Sequence, residues 1–159
     1  MDKLIFDKAM EVVEQLNRHG VQYKVFGGMG INFQGVIRNT EDLDFFVKPT
    51  IENIERMKLA LKAVWDDPAI DEISTEELCG DYPSVAYGPP DETIGLDILT
   101  RLGELYNYDN VEAEVVPVGD VMVHVATPSM LYRMKRDTVR LQDKADALRL
   151  RQAFNLEDE

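Results

Sequence analysis

The sequence predicts one α+β domain, with an antiparallel or mixed β-sheet flanked by helices at both ends of the chain. Three observations carry that prediction. The 159 residues suit a single core. Apolar side chains recur at a helical period near both ends, and short β-branched or aromatic runs bounded by Gly and Pro fill the middle. The domain is expected over residues 1–154, with 155–159 a frayed tail.

Taken in order, Leu4, Ile5, Ala9, Val12, Val13 and Leu16 form one face of an amphipathic helix that His19-Gly20 stops. Residues 21–26 read as a short strand. A glycine turn over residues 27–30 follows, then a short helix over 31–35 ended by Gly35. Residues 43–47 have strand character and end at Pro49. Thr50 is placed to cap a helix through Trp65, with Ile51, Ile54, Met57, Leu61 and Val64 on one face. The acidic stretch 66–81, broken by Pro68 and Gly80, yields no assignment. Strands are expected over 84–87 and 94–99, with a turn at residues 88–91 between them. Residues 113–118 and 121–125 flank Gly119-Asp120 as a two-residue hairpin. Beyond Thr127-Pro128-Ser129 the pattern is helical to about Phe154, with a break near Asp137.

Composition narrows the function. Seventeen Lys and Arg against thirty Asp and Glu give a net charge of -13, which repels phosphate backbones and disfavours RNA or DNA as a large substrate. One cysteine, Cys79, excludes an internal disulfide framework, and His19 and His124 are too isolated for a His-rich metal site. Apolar runs fall short of a bilayer span and the start MDKLIFDKAM is too acidic for a signal peptide, so a cytoplasmic protein without a membrane partner is expected.

The strongest chemical signal lies in residues 38–47. Aspartate is depleted in strands, yet Asp42 and Asp44 head an apolar one, and period-2 geometry puts them on one face. Carboxylates that close repel unless a cation lies between them, and hard oxygen donors at this spacing suit Mg²⁺. A third carboxylate would complete a two-ion site. Asp97, embedded in the apolar run 94–99, is the candidate, because a lone buried carboxylate there is costly. The plain alternative is an N-cap or surface role for Asp42 and a salt bridge for Asp97. Gly27-Gly28, between a strand and a helix, allows close backbone approach to a phosphate.

Together, Gly27-Gly28, the short apolar helix and Arg38-x-Thr40-x-Asp42-Leu43-Asp44 resemble the signature of the polymerase-β-type nucleotidyltransferase superfamily. The likeness is to its small members, the antibiotic nucleotidyltransferases and AbiEii-like proteins, many of which show Gly-Gly where others have Gly-Ser. Residues 95–99 resemble the strand with their third aspartate, and 121–130 the strand and turn before their terminal helix. Lys135, Arg140, Asp143 and Asp146 resemble the AbiEii-like Lys then Arg-x-Lys-Asp-x-x-Asp pattern, with Gln142 standing in the place of a lysine. The resemblance spans roughly residues 20–150.

That resemblance implies a nucleotidyltransferase-like mixed sheet and a Mg²⁺-dependent transfer of a nucleotidyl group from a nucleoside triphosphate, ATP first among them. Gly27 and Gly28 would hold the triphosphate. Asp42 and Asp44 would bind two Mg²⁺ ions, with Asp97 ligating one and helping to activate the acceptor hydroxyl. Lys135 would contact phosphate or substrate, with Arg38, Thr40 and Arg140 as further nucleotide contacts. The acceptor would be a small molecule or a protein, and tRNA, the target of related toxins, is less attractive for so acidic a chain. A second reading is a catalytically silent nucleotide-binding or interaction module, for which Gln142 and the small size argue. A second copy or a partner protein would then supply what is missing. Asp143 and Asp146 read as ion-pair partners within the late helices, Cys79 as a packed or exposed thiol, and Tyr106 and Tyr108 as local packing or acceptor-pocket aromatics. The acidic residues 66–77 read as a solvated face, with a cationic acceptor the sharper alternative.

Overall fold

The computed structural model describes residues 3–136, 138 and 140–157. The first amphipathic stretch forms α1 (Lys3–Arg18), which buries Ala9, Val12, Val13 and Leu16 completely. Gly20, at φ +67, ends it by letting the Val21 N–H reach back to Leu16 O at 2.9 Å. Strand β1 (Tyr23–Phe26) follows. The expected glycine turn is not a loop: α2 (Gly27–Phe33) starts directly at Gly27, whose φ of +66 reverses the chain from strand into helix. Gly30 lies inside that helix, where a Cβ would stand 3.3 Å from Leu131 Cδ2.

Six strands make the sheet: β1, β2 (Asp42–Val47), β3 (Ser84–Tyr87), β4 (Gly95–Leu99), β7 (Ala113–Val118) and β8 (Val121–Ala126). Their order is β3-β4-β2-β1-β8-β7. The β1–β2, β3–β4 and β7–β8 pairs are antiparallel, whereas β1–β8 and β2–β4 are parallel, so the sheet is mixed. Gly119, at φ +59, makes the two-residue turn between β7 and β8. A miniature hairpin, β5 (Arg101–Leu102) with β6 (Tyr106–Asn107), carries no periodic signal because each arm is two residues long.

Alternation along the strands divides the core. Tyr23, Val25, Leu43, Phe45, Leu96 and Ile98 meet α1, α3 (Ile51–Val64) and α4 (Thr75–Cys79) on one face. Phe26, Phe46, Leu99 and Ala126 meet α5 (Pro128–Arg136) and α6 (Leu141–Phe154) on the other. The break expected near Asp137 falls between α5 and α6, Asp137 itself lying outside the described residues. At the tail, Asn155 adopts a left-handed cap, and the half-buried Leu156 donates its N–H to Arg151 O at 3.0 Å. Asp158 and Glu159 lie outside the described residues.

The stretch 66–81, unassigned from sequence, contains a 3-10 turn (Pro68–Glu72) and α4. Asp67 accepts from the Ala69 N–H and Ser74 from the Glu77 N–H, so two side-chain caps start two short helices. Ile70, Ile73 and Leu78 pin them to the core. Three buried apolar anchors among so many acids are too few to show a period, which is why composition masked them.

Thr50 caps α3 as expected, accepting from the Asn53 N–H at 3.2 Å. Asn53, 4% exposed, then ties the helix to the β1 entry and the β2 exit. Its Oδ1 accepts from Gln22 N at 2.7 Å, and its Nδ2 donates to Gln22 O and Lys48 O, each at 3.0 Å. Replacing Asn53 with Ala strands these backbone groups, and urea denaturation is expected to show a loss of about 2–4 kcal/mol. A loss under ~0.5 kcal/mol would show that water replaces the amide there.

Candidate active site

The parallel register of β2 on β4 pairs Asp42 with Gly95 and Asp44 with Asp97. Side chains of directly paired residues share a face, so Asp42, Asp44 and Asp97 all project from the α5–α6 side of the sheet. Asp97 therefore points neither into the α1–α3 core nor across the opposite side. The Asp44 and Asp97 carboxyl groups lie close enough to share a proton between them. Asp42 stands one pleat away over Gly95, where a Cβ would overlap its Oδ1. A Cβ at Gly27 would likewise overlap Asp44 Oδ2. Both glycines are places where carboxylate oxygens occupy the space of a side chain, and a glycine inside a strand is the sequence signal for such an approach.

These carboxyl groups are held against their preference. Burial, then the hydrogen bond and charge of Asp97, then the charge of Asp42 push the Asp44 carboxyl up to about 7, while Lys135 pulls the other way. Burial, then Asp97 and Glu41 also raise the Asp42 carboxyl. Among the described residues no group of three or more His, Cys, Asp or Glu side chains is positioned to hold a metal ion as it stands. The donors present are hard oxygens that repel one another, which fits a hard divalent cation that would draw them together on binding.

Facing the carboxylates is a cationic wall built from α5, α6 and the loop before β2. Asp146, 1% exposed, accepts from Arg38 Nε through both oxygens, at 3.1 and 3.0 Å. It also faces Lys135 Nζ at 3.3 Å and accepts from Gln142 Nε2 at 3.0 Å. Asp143 holds Lys135 Nζ at 2.9 Å and the Thr138 hydroxyl at 3.0 Å, with Arg140 Nε at 3.9 Å. Burial raises the Asp143 carboxyl, but Lys135, Thr138 and Arg140 together carry it below the usual carboxylate range. Asn32 clamps the Arg38 backbone from both sides, at 2.9 Å to its N and 2.8 Å from its O. Arg38 Nη1 and Thr40 Oγ1 then lie so near Gly28 that a Cβ would come within 2.9 and 3.0 Å of them.

The two walls enclose a cleft of about 640 Å³ lined by Gly28, Arg38, Thr40, Asp42, Asp44, Asp97, Lys135 and Arg140. Gly27 lines a smaller adjoining cavity that also touches Asp44, Lys135 and Arg140. The site residues expected from the sequence are thus within one region, and the Arg38–Asp146 contact that closes it spans 108 positions of the chain. Sequence reasoning missed Ile5, Asn39 and Glu41, which also line the cleft, and the part Asn32 and Gly95 have in setting it.

Against solved structures the chain resembles, over 96% of its length, the crystal structure of an antigenic nucleotidyltransferase-like protein from Paracoccidioides brasiliensis. The TM-score is 0.61 at 14% identity, with 77% of that chain covered. A provisionally assigned nucleotidyltransferase from Thermotoga maritima matches 98% of this chain and 96% of its own, with a TM-score of 0.56 at 16% identity. The fold is nucleotidyltransferase-like. No family model and no curated protein sequence matches the chain.

Other candidate residues lie apart from this cleft. His19 bonds through Nδ1 to Gln15 O, and His124 packs edge-on against Tyr23. Burial pushes the Cys79 thiol up, away from a reactive thiolate. Tyr108 lies under the Lys24 ammonium, 4.4 Å from the ring centroid, and neither Tyr106 nor Tyr108 lines the cleft. Asp143 and Asp146 are ion-pair partners, as the sequence suggested, but their partners include Arg38 from far along the chain. Among the described residues no helix is long and apolar enough to cross a membrane.

Proposed function

We propose that this chain is a Mg²⁺-dependent nucleotidyltransferase that moves a nucleotidyl group from a nucleoside triphosphate, ATP first, to a hydroxyl of a small-molecule or protein acceptor. The observation that carries the reading is the register of β2 on β4, which lines up Asp44 with Asp97 and leaves Asp42 beside them, opposite Arg38, Lys135 and Arg140. Asp42, Asp44 and Asp97 are the residues to hold two Mg²⁺ ions. Bound there, Mg²⁺ supplies charge neutralisation to the phosphates and to the carboxylates alike. Gly27, Gly28, Thr40, Arg38, Lys135 and Arg140 hold the triphosphate, with Asp143 and Asp146 keeping the cations in place.

In the reaction the acceptor oxygen bonds to the α-phosphorus as the bond from that phosphorus to the leaving pyrophosphate breaks. The electron pair of the broken bond leaves with pyrophosphate, and the hydroxyl proton goes to Asp97. Such chemistry depends mainly on positioning and charge, which the two walls provide. The likeness of Lys135, Arg140, Asp143 and Asp146 to the AbiEii-like pattern supports an AbiEii-like reading, with the cytoplasm as the proposed location. A net charge of -13 argues against tRNA as its acceptor.

Isothermal titration of ATP, CTP, GTP and UTP with Mg²⁺ tests the reading. Binding is expected for the wild type and lost in the Asp42→Ala, Asp44→Ala double variant; equal binding in both removes the metal assignment. A milder probe is Gly95→Ala, whose new Cβ displaces the Asp42 carboxylate without touching the core. It is expected to weaken Mg²⁺ binding by about tenfold or more, and unchanged affinity would place Asp42 outside the metal shell.

One observation favours the silent-module reading. Gln142 replaces a lysine of the AbiEii-like pattern and spends its amide on Asp146. A transfer assay at saturating Mg²⁺ separates the two, and sedimentation reports whether a second copy or partner completes the site.

A further inference from the structure

We propose that the acceptor is a neutral alcohol on an apolar, ring-sized body, bound in a second cavity that meets the polar cleft at Asp44 and Asp97. This cavity holds about 300 Å³ and lies over the β3–β4 edge of the sheet. The β3–β4 register puts Ala86 beside Asp97 and Ser84 beside Leu99, on the same face as the carboxylates. Two small side chains on the edge strand leave a shelf there. Phe26, Leu99 and Leu102 of the miniature hairpin also line it. Phe26 is a fixed wall, stacked on Phe46 with ring centroids 4.5 Å apart.

The lining decides the chemistry of the occupant. Among the described residues Asp44 and Asp97 are the only charged ones that line it, and both also belong to the polar cleft. With no cation of its own the cavity does not suit a phosphate. A polycation needs further acids, and none of the residues 66–77 lines either cavity. Leu102, 42% exposed, is an apolar side chain that an apolar occupant would cover. An alcohol on such a body places its oxygen at the shared carboxylates, while the triphosphate lies on the cationic side. Oxygen then bonds to the α-phosphorus, pyrophosphate departs with the electron pair of the broken bond, and the alcohol proton passes to Asp97. The word acceptor rests on the transferase reading above; the preference for a neutral apolar alcohol rests on the cavity lining alone.

The test is a titration of 2-naphthol, a fluorescent neutral alcohol, into the ¹⁵N-labelled protein without nucleotide or metal. One-to-one binding is expected with a dissociation constant of about 0.1 mM and amide shifts centred on Ser84, Ala86, Leu99 and Leu102. Ala86→Phe, which fills the shelf from a solvent-facing position, is expected to weaken binding at least about tenfold. Should that variant misfold, Leu102→Glu on the hairpin takes its place. No binding, shifts centred elsewhere, indifference to these variants, or displacement by the polycation kanamycin would each overturn the proposal. A separate Mg²⁺ titration keeps the two readings apart. Naphthol bound without Mg²⁺ uptake sinks the transferase reading and leaves the cavity assignment, and Mg²⁺ uptake without naphthol does the reverse.

Discussion

Replacing Asp44 with asparagine is expected to make the metal-free protein more heat-stable at pH 8 while removing its Mg²⁺ binding. The wild-type carboxyl, raised to about 7 by burial and by Asp97 and Asp42, favours its protonated form in the folded state. A raised carboxyl contributes stability that is complete below the unfolded value of 3.8 and lost as pH rises through about 7. The metal-free wild type is therefore expected to lose roughly 2–4 kcal/mol across that window. The substituted asparagine side chain does not titrate, and its amide N–H would replace the shared proton toward Asp97. The variant is expected to melt roughly 5–10 °C above the wild type at pH 8 and near it at pH 4. Differential scanning calorimetry in EDTA at both pH values reads this directly. Adding Mg²⁺ at pH 8 is expected to stabilise the wild type alone. A variant that melts lower than the wild type at pH 8 would mean that Asp44 and Asp97 do not repel there.

The second large effect runs the other way. Asp146→Ala removes the carboxylate to which Arg38, Lys135 and Gln142 converge in a nearly dry site. Breaking a buried pair from one side leaves the opposite charge uncompensated, and about 3–5 kcal/mol is expected to be lost. Lys135 keeps Asp143 at 2.9 Å, so the freed group is mainly Arg38, whose side chain is 15% exposed. Urea denaturation should show the midpoint falling with the slope unchanged. Nucleotide affinity should fall with it, because Arg38 would no longer be fixed against Gly28. A change below ~1 kcal/mol would mean that water solvates Arg38 and that the cationic wall does not depend on Asp146.

Local patterning made much of the architecture legible. Residues 84–87 and the hairpin at Gly119-Asp120 lie where alternation and turn chemistry put them. The Thr50 cap on α3 does as well. Residues 66–81 were opaque, because their helices are short, capped by single side chains and held by three scattered apolar anchors. The glycine turn was half legible: its position could be read, but that Gly27 enters a helix directly depends on a positive φ that sequence does not encode. The small hairpin at Arg101–Leu102 and Tyr106–Asn107 is shorter than any period.

For the site, the chain alone determined the chemical types: two aspartates two residues apart on a strand, a third in another apolar strand, glycines near the first and cations near the end. Side-chain alternation fixes that Asp42 and Asp44 share a face, since it depends only on the backbone of one strand. Which face Asp97 takes was decided by the parallel register of β2 on β4, and a slip of one residue would have turned it into the opposite core. Whether Lys135 and Arg38 meet the carboxylates was likewise decided by packing, through Asp143 and Asp146 on α6. Those choices rest on contacts between segments tens of residues apart, whose energies come from burial and pairing that no local stretch of sequence contains.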